Sequence, residues 1–574
     1  MPRLLGACLF SVASMIWGCA TGDAPSTGGG GSSGTAGSNA GGSDGAGGTP
    51  DIGGAAEGGM SSNGGNGEGG SGPCDTCPPG TQDLDQSPIT GECGCEYLCT
   101  PTGSEDPIDE DFIDDNCDGT DGVAEQCVYV SASIGDDTTG TGTRDAPVQS
   151  IAHAFEVAQQ NTVPAICLSG ETYTGTVTLI SGISVYGGFD QADADFKFRR
   201  KEGVVTTINA TGTGVVATQI DQETHLEGLT INVSATGMGG DSTYGVRLNG
   251  GLAQLFVRFN VITVAAGSDG DNGQNGVAPS PLTAPSGNDG TNGCSNCGSS
   301  PAGGAQPACV EFGGKGGNGG NGGATGQPGA PGSGGALGGS GHASNGCFGS
   351  TETASDGDTG ATGSQGNNGG GGSAIGTASS GVYNPANGLN GAKGNNGRGG
   401  GGGGGGGGGE GGTFCNNDGG GGGGSGGCGG LGGNQGTGGE GGGGSFGILA
   451  TAGSLVVEGN TITTGAGGDG GNGGNGAAGQ NAGGGGTGGS GADDSDAGGN
   501  GAPGGPGGAG GPGGGGGGGP TTCLGRKSAV VFTFTDNSCT TGVPGNGGNG
   551  GTNPAGGVGG TGTDGSGGPQ LQIN

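Results

Sequence analysis

Short apolar stretches separated by Gly, Asn and Thr fill residues 127–264, whereas the rest of the chain is poor in apolar positions. A helix is predicted early in this region, because apolar residues recur at helical spacing: Ile151, Ala154, Phe155 and Ala158. β-rich stretches are predicted at 128–131, 165–168, 177–180, 183–186, 204–208 and 226–233. Strands of about five residues that lack two-residue hairpin turns indicate the stacked coils of a solenoid.

Two segments carry a family resemblance. One is VYVSASIGDDTTGTGTRDAPVQSIAHAFEVA with its helix, and the other is AICLSGETYTGTVTLISGISVYGGFD, with Tyr173 and Gly187-Gly188-Phe189. They resemble the start of right-handed parallel β-helix proteins of the pectin-lyase-like class, closely over residues 127–190 and more loosely over 204–264. The resemblance implies a mainly β fold, a right-handed parallel β-helix with a capping helix.

Glycine recurs at every third position from Gly314 to Gly341, and again within 357–372, 388–400, 467–479 and 542–551. This period matches the polyproline-II helix, which has about three residues per turn. Three interpretations remain open. A collagen triple helix needs more Pro than Pro328 and Pro331 supply in the longest run. Disorder is the default, because fixing one residue's backbone costs about 1–2 kcal/mol. The third is a bundle of polyproline-II or polyglycine-II helices formed by one chain.

An internal repeat connects the strands with the glycine tracts. Residues 260–276 align with 460–476, with eleven of the 17 positions identical, and 536–542 form a weaker third copy. We therefore predict β-helix coils whose loops have grown into long Gly-rich insertions. The predicted segments are a parallel β-helix at 127–264, a triplet insertion at 265–444, a coil at 445–464, an insertion at 465–525, a coil at 526–541 and a Gly-rich end at 542–574.

The N-terminus has the pattern of an export signal: Arg3, an apolar run at 4–17, then Gly18-Cys19. Residues 16–19 resemble a bacterial lipobox, which predicts a signal peptide at 1–18 and a lipid on Cys19. Residues 19–73 are then the anchor and a flexible Gly/Ser tether. By resemblance to Gram-negative sorting rules, Ala20 favours a surface-exposed outer-membrane lipoprotein attached only by its lipid; the alternative is cleavage near Ala20 and a secreted protein.

Charge limits the partners. The 574 residues include 172 Gly, and 50 Asp and Glu against 13 Lys and Arg give a net charge of −37. Such a polyanion is repelled by nucleic acid and by anionic lipid surfaces, so we expect no nucleic-acid partner.

Cysteine number points to disulfides. Of 18 cysteines, Cys8 leaves with the signal and Cys19 carries the lipid, and an even number remains in an exported chain. Cys74-x-x-Cys77 could also be half of a zinc site, although no second such pair lies nearby. The disulfide candidates are Cys74, Cys77, Cys93, Cys95, Cys99, Cys117, Cys127, Cys167, Cys294, Cys297, Cys309, Cys347, Cys415, Cys428, Cys523 and Cys539.

The Cys-rich segment 74–126 contains an acidic loop, with six Asp, one Glu and one Asn in residues 109–121. Ca²⁺ takes about six to eight oxygen ligands from such loops. Residues 114–119 resemble the DNDCDG-type metal-binding motif of bacterial surface proteins, which is similar to thrombospondin type 3 calcium repeats. A structural Ca²⁺ site and a solvated acidic loop both remain open, and no catalytic metal is expected. The predicted ligands are Asp109, Asp111, Asp114, Asp115, Asn116, Asp118 and Asp121.

No motif defines a reaction, and no catalytic residue is assigned. We expect a non-catalytic cell-surface lipoprotein, structural, adhesive or matrix-interacting, whose partners are extracellular polysaccharide or other surface proteins. The alternative is a carbohydrate-active β-helix enzyme, such as a polysaccharide lyase, hydrolase or epimerase. Its candidate residues are Asp190, Asp193, Asp195, Lys197, Arg199, Arg200, Lys201 and Asp221, while His153 and His225 show no partner in the sequence.

Overall fold

The computed structural model describes residues 77–84, 95–103, 105–194, 196–344, 346, 351–413 and 415–574. The predicted signal peptide, Cys19 and the tether lie outside these residues, as do Cys74, Cys93, Cys347 and Asp195.

The described chain is mainly β, with a helix α1 at Ile151–Asn161 and a 3-10 turn at Ala124–Gln126. The strands before residue 201 are β1 (Thr81–Gln82), β2 (Tyr97–Leu98), β3 (Cys127–Val130), β4 (Ala165–Ser169), β5 (Thr172–Thr174), β6 (Val177–Leu179), β7 (Ser184–Asp190) and β8 (Arg199–Arg200). The later strands are β9 (Thr206–Thr211), β10 (Thr213–Thr218), β11 (Thr224–Glu227), β12 (Leu229–Ser234), β13 (Thr243–Arg258), β14 (Val261–Val264), β15 (Thr377–Ser379), β16 (Val382–Asn384), β17 (Ser445–Glu458), β18 (Thr461–Thr464), β19 (Thr521–Arg526), β20 (Val531–Thr535), β21 (Ser538–Thr540) and β22 (Gly567–Gln572).

Two long parallel sheets organise these strands. The large sheet has the order β22-β19-β17-β13-β11-β7-β4-β3, with β20 beside β17, β10 beside β13 and β6 beside β10, and antiparallel β8 beside β7. The small sheet has the order β21-β18-β14-β12-β9-β5 and is parallel throughout. Antiparallel pairs β1-β2 and β15-β16 stand apart. Apart from the antiparallel pairs β1-β2, β7-β8 and β15-β16, the strands pair in parallel with strands from an earlier or later stretch of chain.

Alternation along the strands places apolar residues on one face. In β12, Leu229, Ile231 and Val233 are buried while the residues between them are partly exposed, as the two-residue period of a strand requires. The strand register then aligns inward-facing apolar residues across the small sheet in one row: Tyr173, Ile208, Ile231, Ile262, Ile462 and Cys539. Inward residues of both sheets form one apolar core, and each fully buried Ile or Leu stabilises it by about 1.5–3 kcal/mol. We call residues 127–264, 445–464 and 521–541 the strand body.

A ladder of hydrogen-bonded asparagines, Asn260, Asn460 and Asn537, connects three segments of the strand body. Asn260 precedes β14 and Asn460 precedes β18, and each is 1% exposed. The Asn460 Oδ1 accepts the Asn260 backbone N–H at 3.0 Å, and the Asn537 Oδ1 accepts the Asn460 N–H at 2.9 Å. The amide side chains therefore satisfy buried backbone groups that no strand pairing reaches.

Helix α1 lies beside the first strands. The Ser150 side chain caps it by accepting the His153 N–H at 3.2 Å, and Thr162 ends it in the left-handed conformation at φ 58°. Ala154, Phe155, Val157 and Ala158 are buried in the core. The predicted helix is confirmed, with Val157 as an additional buried position and Ile151 only partly buried.

Strand prediction was correct for the type of structure and less accurate for its boundaries. The stretch 226–233 is two strands, β11 and β12, because Gly228 takes a positive φ of 69° between them. Strands β10, β19 and β22 were not predicted, since their sequences are rich in Thr and Gly. The repeat at 260 and 460 pairs in register, with Val261 opposite Thr461 and Ile262 opposite Ile462.

The glycine tracts extend the small sheet beyond its strands. After β14 and β18, the Gly267 N–H donates to the Ala466 oxygen and the Gly270 N–H to the Asp469 oxygen, at 2.9 and 2.8 Å. The tract after β21 continues the same pattern, with one such hydrogen bond at every third residue. Almost all of these residues lack helix or strand assignments. We call the hydrogen-bonded residues 265–344, 351–376, 385–413, 415–444, 465–520 and 542–566 the glycine lattice.

Neighbouring tracts in the glycine lattice approach too closely for side chains. A Cβ on Gly423 would lie 2.1 Å from the Gly403 oxygen, and a Cβ on Gly421 would lie 1.9 Å from the Gly489 oxygen. Backbone groups face each other instead: the Gly423 N–H donates to the Gly317 oxygen at 2.8 Å. The three-residue period therefore supplies a face without Cβ atoms to each neighbour.

Asp and Asn at the intervening positions have a backbone role. The Asp269 Oδ1 accepts the Asp469 N–H at 2.7 Å, and the Asp469 Oδ1 accepts the Asn546 N–H at 2.7 Å. Two parallel rows repeat this contact: Asn272, Asn472 and Asn549, and then Asn275, Asn475 and Thr552. These side chains satisfy N–H groups that the glycine contacts leave unpaired, and they form an exposed polar face.

Candidate metal centre

The acidic segment 105–123 is fixed to the large sheet by Arg200. This arginine is 3% exposed, and its Nη1 lies 2.5 Å from the Asp121 Oδ2. The same nitrogen donates to the Asp109 carbonyl oxygen, and the Nε donates to the Gly187 oxygen at 3.1 Å. The Thr120 hydroxyl donates to the Phe198 oxygen at 3.1 Å. A segment without strands of its own thereby acquires a defined position.

Three carboxylates of this segment converge. One oxygen each from Asp106, Asp114 and Asp118 lies within 4.8 Å of the other two. Asp106 is 7% exposed. Only oxygen ligands are offered, and oxygen is the ligand type that Ca²⁺ and Mg²⁺ prefer.

Asp106 is the exceptional member, because both of its buried carboxylate oxygens lack a hydrogen-bond partner. Burial raises the pKa of Asp106 to about 7, although the backbone N–H of Asp115 acts to lower it. The Asp121 and Asp114 carboxylates raise it further. A buried, unpartnered carboxylate beside like charges is unfavourable, and a divalent cation would remove both penalties. The residues therefore fit an oxygen-coordinated cation.

Backbone donors orient the other two carboxylates. Asp114 accepts the Asp118 N–H at 3.0 Å and the Gly119 N–H at 2.7 Å, and Asp118 accepts the Ala124 N–H at 2.7 Å. Gly119 has a φ of 99°, and a Cβ there would lie 2.0 Å from the Phe196 ring. The glycine of the predicted motif is thus required by both backbone and packing. Burial also raises the pKa of Asp118.

Of the predicted ligands, the structure brings Asp114 and Asp118 together and adds Asp106. Asp115 accepts a hydrogen bond from the Thr102 hydroxyl, Asn116 donates one to Asp118, and Asp121 pairs with Arg200. Asp109 and Asp111 line a separate groove. Sequence reasoning missed Asp106, and the only signal for it was another acid just upstream, in Glu105-Asp106-Pro107.

Five of the described residues considered for an enzyme are in ion pairs: Asp190, Asp193, Lys197, Arg200 and Lys201. Lys201 contacts Asp190 and Asp193, each at 2.7 Å, and Lys197 contacts Asp145 at 3.3 Å. The Asp221 Oδ1 accepts the Leu252 N–H at 3.1 Å. These contacts join neighbouring segments of the strand body and give the charges that they involve a structural role.

Both histidines that lacked partners in the sequence have them in the structure, which corrects that expectation. His153 lies 3.0 Å from Glu156 on α1. His225 bonds Glu227 at 2.7 Å and Glu223 at 3.2 Å. The spacing places His225 and Glu227 on one face of β11, because strand side chains alternate, and Glu223, one residue before the strand, reaches the same histidine.

The predicted disulfides are confirmed for most described cysteines. The pairs are Cys77–Cys95, Cys99–Cys117, Cys127–Cys167, Cys294–Cys297, Cys309–Cys428 and Cys523–Cys539. Cys415 is also disulfide-bonded. Because Cys77 pairs with Cys95, it is not a zinc ligand in this structure.

Comparison with known proteins returns no relative: no protein-family model, no curated protein and no solved structure matches this chain. Within the described ranges, no helix combines the length and apolar character needed to cross a membrane. Function must therefore be argued from the structure itself.

Proposed function

We propose that the chain is a non-catalytic cell-surface lipoprotein with a structural or adhesive role. In this proposal Cys19 carries the lipid, the tether spans outward from the outer membrane, and the strand body is a right-handed parallel β-helix. The β-helix displays the glycine lattice, which is a bundle of polyproline-II-like helices. Extracellular polysaccharide or other surface proteins are the partners.

One observation carries this proposal: hydrogen-bond register continues from strands into glycine tracts. The Ile262–Ile462 pair of the small sheet is followed by the Gly267–Ala466 contact, and next to it the Gly467 N–H donates to the Val543 oxygen at 2.9 Å. The strands therefore set the phase of the tracts at three successive levels. Such a design converts a polar, glycine-rich sequence into an ordered surface, which suits a display role.

The β-helix is supported by parallel pairing, in-register apolar rows and the asparagine ladder. Coils that stack like this present neighbouring loops on one side. The polyproline-II bundle is supported by the three-residue step of the hydrogen bonds and by Cβ-less contacts.

Calcium would have a structural role at Asp106, Asp114 and Asp118. The ion would hold the acidic segment where Arg200 and Thr120 anchor it to the large sheet. It would supply positive charge to the buried carboxylates. We assign it no catalytic step.

Spectroscopy and proteolysis of the full-length protein test the display architecture. We expect a polyproline-II circular dichroism signature that melts cooperatively, with residues 265–445 protected from protease until the melt. Immediate digestion of that segment, or a featureless spectrum, would contradict the bundle. Protease added to intact cells should release the protein, and Cys19→Ala should shift the protein from the cells to the medium.

Enzymatic activity is the outcome that would replace this proposal. Cleavage of an acidic polysaccharide by the purified protein, abolished by Asp221→Ala but not by the exposed-site change Glu156→Gln, would establish the carbohydrate-active alternative. Arg200→Ala is unsuitable as the only probe, because its buried ion pair with Asp121 supports the fold.

Calcium binding needs its own measurement. Calorimetric titration of chelator-treated protein should show Ca²⁺ binding, and saturation at about 100 times Kd should stabilise the fold by about 2.7 kcal/mol. Asp106→Asn should weaken binding at least about tenfold, because a ligand charge is lost. Asp111→Asn is the matched control, since Asp111 lies outside the cluster. If Asp111→Asn weakens binding and Asp106→Asn does not, the three-carboxylate centre is wrong.

A further inference from the structure

The acidic segment contains a peptide bond with distinctive chemistry, the bond between Asp106 and Pro107. No other Asp-Pro dipeptide occurs in the 574 residues of the chain. An aspartyl side chain ordinarily reacts with the backbone nitrogen that follows it, but that reaction needs an N–H, and proline has none. The intramolecular reaction left to Asp106 is attack of its carboxylate on its own carbonyl carbon, which forms a cyclic anhydride and expels the proline nitrogen.

The Asp106 carboxylate has few contacts that would restrain it as a nucleophile. Asp106 is 7% exposed, and neither of its carboxylate oxygens has a hydrogen-bond partner. Hydrogen bonds to a carboxylate stabilise its charge and so weaken its attack. The Asp114 carboxylate, by contrast, accepts the N–H groups of Asp118 and Gly119. A nucleophile held in the same residue as its target also gains an effective molarity of about 10⁵–10⁸ M when it is well oriented.

The leaving side of the bond is open to water. Pro107 is exposed, and residues 105–109 belong to no helix or strand. Asp106 and Pro107 both line a cavity of about 240 Å³ between the acidic segment and the large sheet. A water molecule needs only about 10–15 Å³ of such space. The bond therefore joins a buried nucleophile to a solvent-exposed leaving group.

We propose that the Asp106–Pro107 bond is a self-cleavage site of the metal-free chain, with the Asp106 carboxylate as the nucleophile. A carboxylate oxygen bonds to the Asp106 carbonyl carbon, the C–N bond breaks, and its electron pair stays on the Pro107 nitrogen. Water gives that nitrogen a proton, and the resulting hydroxide opens the anhydride. The net reaction consumes one water and leaves a free α-carboxylate on Asp106 and a secondary amine at Pro107.

A disulfide determines what this cleavage does to the molecule. Cys99–Cys117 spans the bond, because one cysteine precedes it and the other follows it. Cys77–Cys95 lies wholly before the bond. Among the described cysteines, Cys99 and Cys117 alone keep the two parts covalently joined after cleavage, until they are reduced. In the proposed lipoprotein, the strand body would therefore leave its tether only after both reactions.

Calcium would control the reaction through Asp106. The carboxylate oxygens cannot attack while they coordinate a cation together with Asp114 and Asp118. Cleavage goes beyond the proposed function and does not rest on it, whereas its suppression by calcium rests on the proposed metal centre. The two can fail separately, and the experiment below distinguishes them.

Incubation of the full-length protein for days at neutral pH, with chelator or with Ca²⁺, tests the proposal. In chelator, mass spectrometry should find one chain that ends at Asp106 and one that begins at Pro107, which separate on a denaturing gel only after reduction. Hydroxylamine added to the incubation should leave a hydroxamate on Asp106, which reports the anhydride. Ca²⁺ at about 100 times Kd leaves about 1% of the sites free and should slow cleavage about a hundredfold.

Three variants locate the reaction. Asp106→Asn removes the nucleophile, and Pro107→Ala keeps every carboxylate but replaces the leaving nitrogen, so neither should release a chain that begins at residue 107. Asp111→Asn, outside the three-carboxylate cluster, should be cleaved like wild type, and unaltered melting shows that each protein is folded. An intact wild-type chain in chelator, cleavage at another bond, or undiminished cleavage in Asp106→Asn or Pro107→Ala would overturn the proposal. Equal cleavage with and without Ca²⁺ supports the bond-breaking step and contradicts the calcium centre.

Discussion

The strand body and the glycine lattice are held together by different atoms. In the strand body, apolar side chains such as Leu248, Ile262 and Leu455 fill the space between sheets. The glycine lattice has no room for side chains, because a Cβ on Gly403 would lie 2.1 Å from the Gly499 oxygen and a Cβ on Gly426 would lie 2.0 Å from the Gly400 oxygen. One region excludes water with side chains, and the other packs backbone against backbone.

This difference shows where each region gets its stability. A backbone hydrogen bond contributes a net of about 0.5–1.5 kcal/mol, whereas ordering a residue costs about 1–2 kcal/mol. The glycine lattice therefore has little stability to spare by itself. It depends on the strand body, which sets the phase of its tracts, and on crosslinks such as Cys309–Cys428, which closes 119 residues.

Removal of the Cys309–Cys428 crosslink should cause the largest loss of stability among these tests. Cys309→Ser with Cys428→Ser frees a long loop, and chain entropy predicts a loss of about 4–5 kcal/mol. The paired change at Cys294 and Cys297, which are three residues apart, should cost only about 2 kcal/mol. Denaturant melting combined with proteolysis of 265–445 measures both. Equal losses would show that the glycine lattice does not depend on long-range crosslinking.

A core truncation separates the two regions next. Leu248 is fully buried in the strand body, whereas Leu389 in the glycine lattice is 65% exposed. Leu248→Ala should therefore cost about 3–4 kcal/mol, because it leaves a cavity in a packed core. Leu389→Ala should change stability by less than about 0.5 kcal/mol. Chemical denaturation of both variants checks this, and a large effect at Leu389 would mean that the glycine lattice also relies on side-chain burial.

Adjacent glycines provide the corresponding test within the glycine lattice. A Cβ on Gly485 would lie 1.8 Å from the Gly501 oxygen, whereas on Gly484 the nearest atom is the Ser286 Oγ at 3.7 Å. Gly485→Ala should destabilise by about 1–3 kcal/mol, since backbone must move. Gly484→Ala should be neutral or slightly stabilising, because alanine lowers the entropy of the unfolded chain. Thermal melting of the two proteins decides; a similar loss in both would indicate that the tracts are not packed as described.

Sequence was sufficient where the signal is local. Helical spacing identified α1, and the alignment of residue 260 with residue 460 identified a repeat whose two copies the structure pairs in register. The three-residue glycine period pointed to close packing as one of three interpretations. The sequence could not predict which tracts contact one another, because one glycine triplet looks like another. Gly423, for example, has both Gly317 and Gly403 as neighbours.

The metal centre shows the same limit. Asp114 and Asp118 lie four residues apart and share a turn, so spacing could identify them. Asp106 joins them only because the chain folds back, and its burial is a tertiary property.

The smallest expected effect is a pH dependence specific to the glycine lattice. His342 lies 2.7 Å from Asp496 and 3.1 Å from Glu352. The hydrogen bond to Asp496 holds the pKa of His342 above its ordinary value. The folded chain therefore binds this proton more tightly than the unfolded chain. The resulting stability is complete below the unfolded pKa of about 6.5 and is lost as pH rises through the folded pKa.

Comparison of wild type with His342→Gln measures this contribution. Melting followed from about pH 5 to pH 9 should show a difference of less than about 1 kcal/mol that shrinks as pH rises. His153→Gln, at a helix far along the chain from the glycine lattice, controls for loss of a histidine. A His342→Gln difference that is constant with pH would mean that the ion pair with Asp496 contributes nothing. In that case the tracts containing His342 and Asp496 would be held by their other contacts, such as the Glu352 N–H donated to the Asp496 Oδ1 at 2.7 Å and the Asp496 N–H donated to the Gly407 oxygen at 3.0 Å.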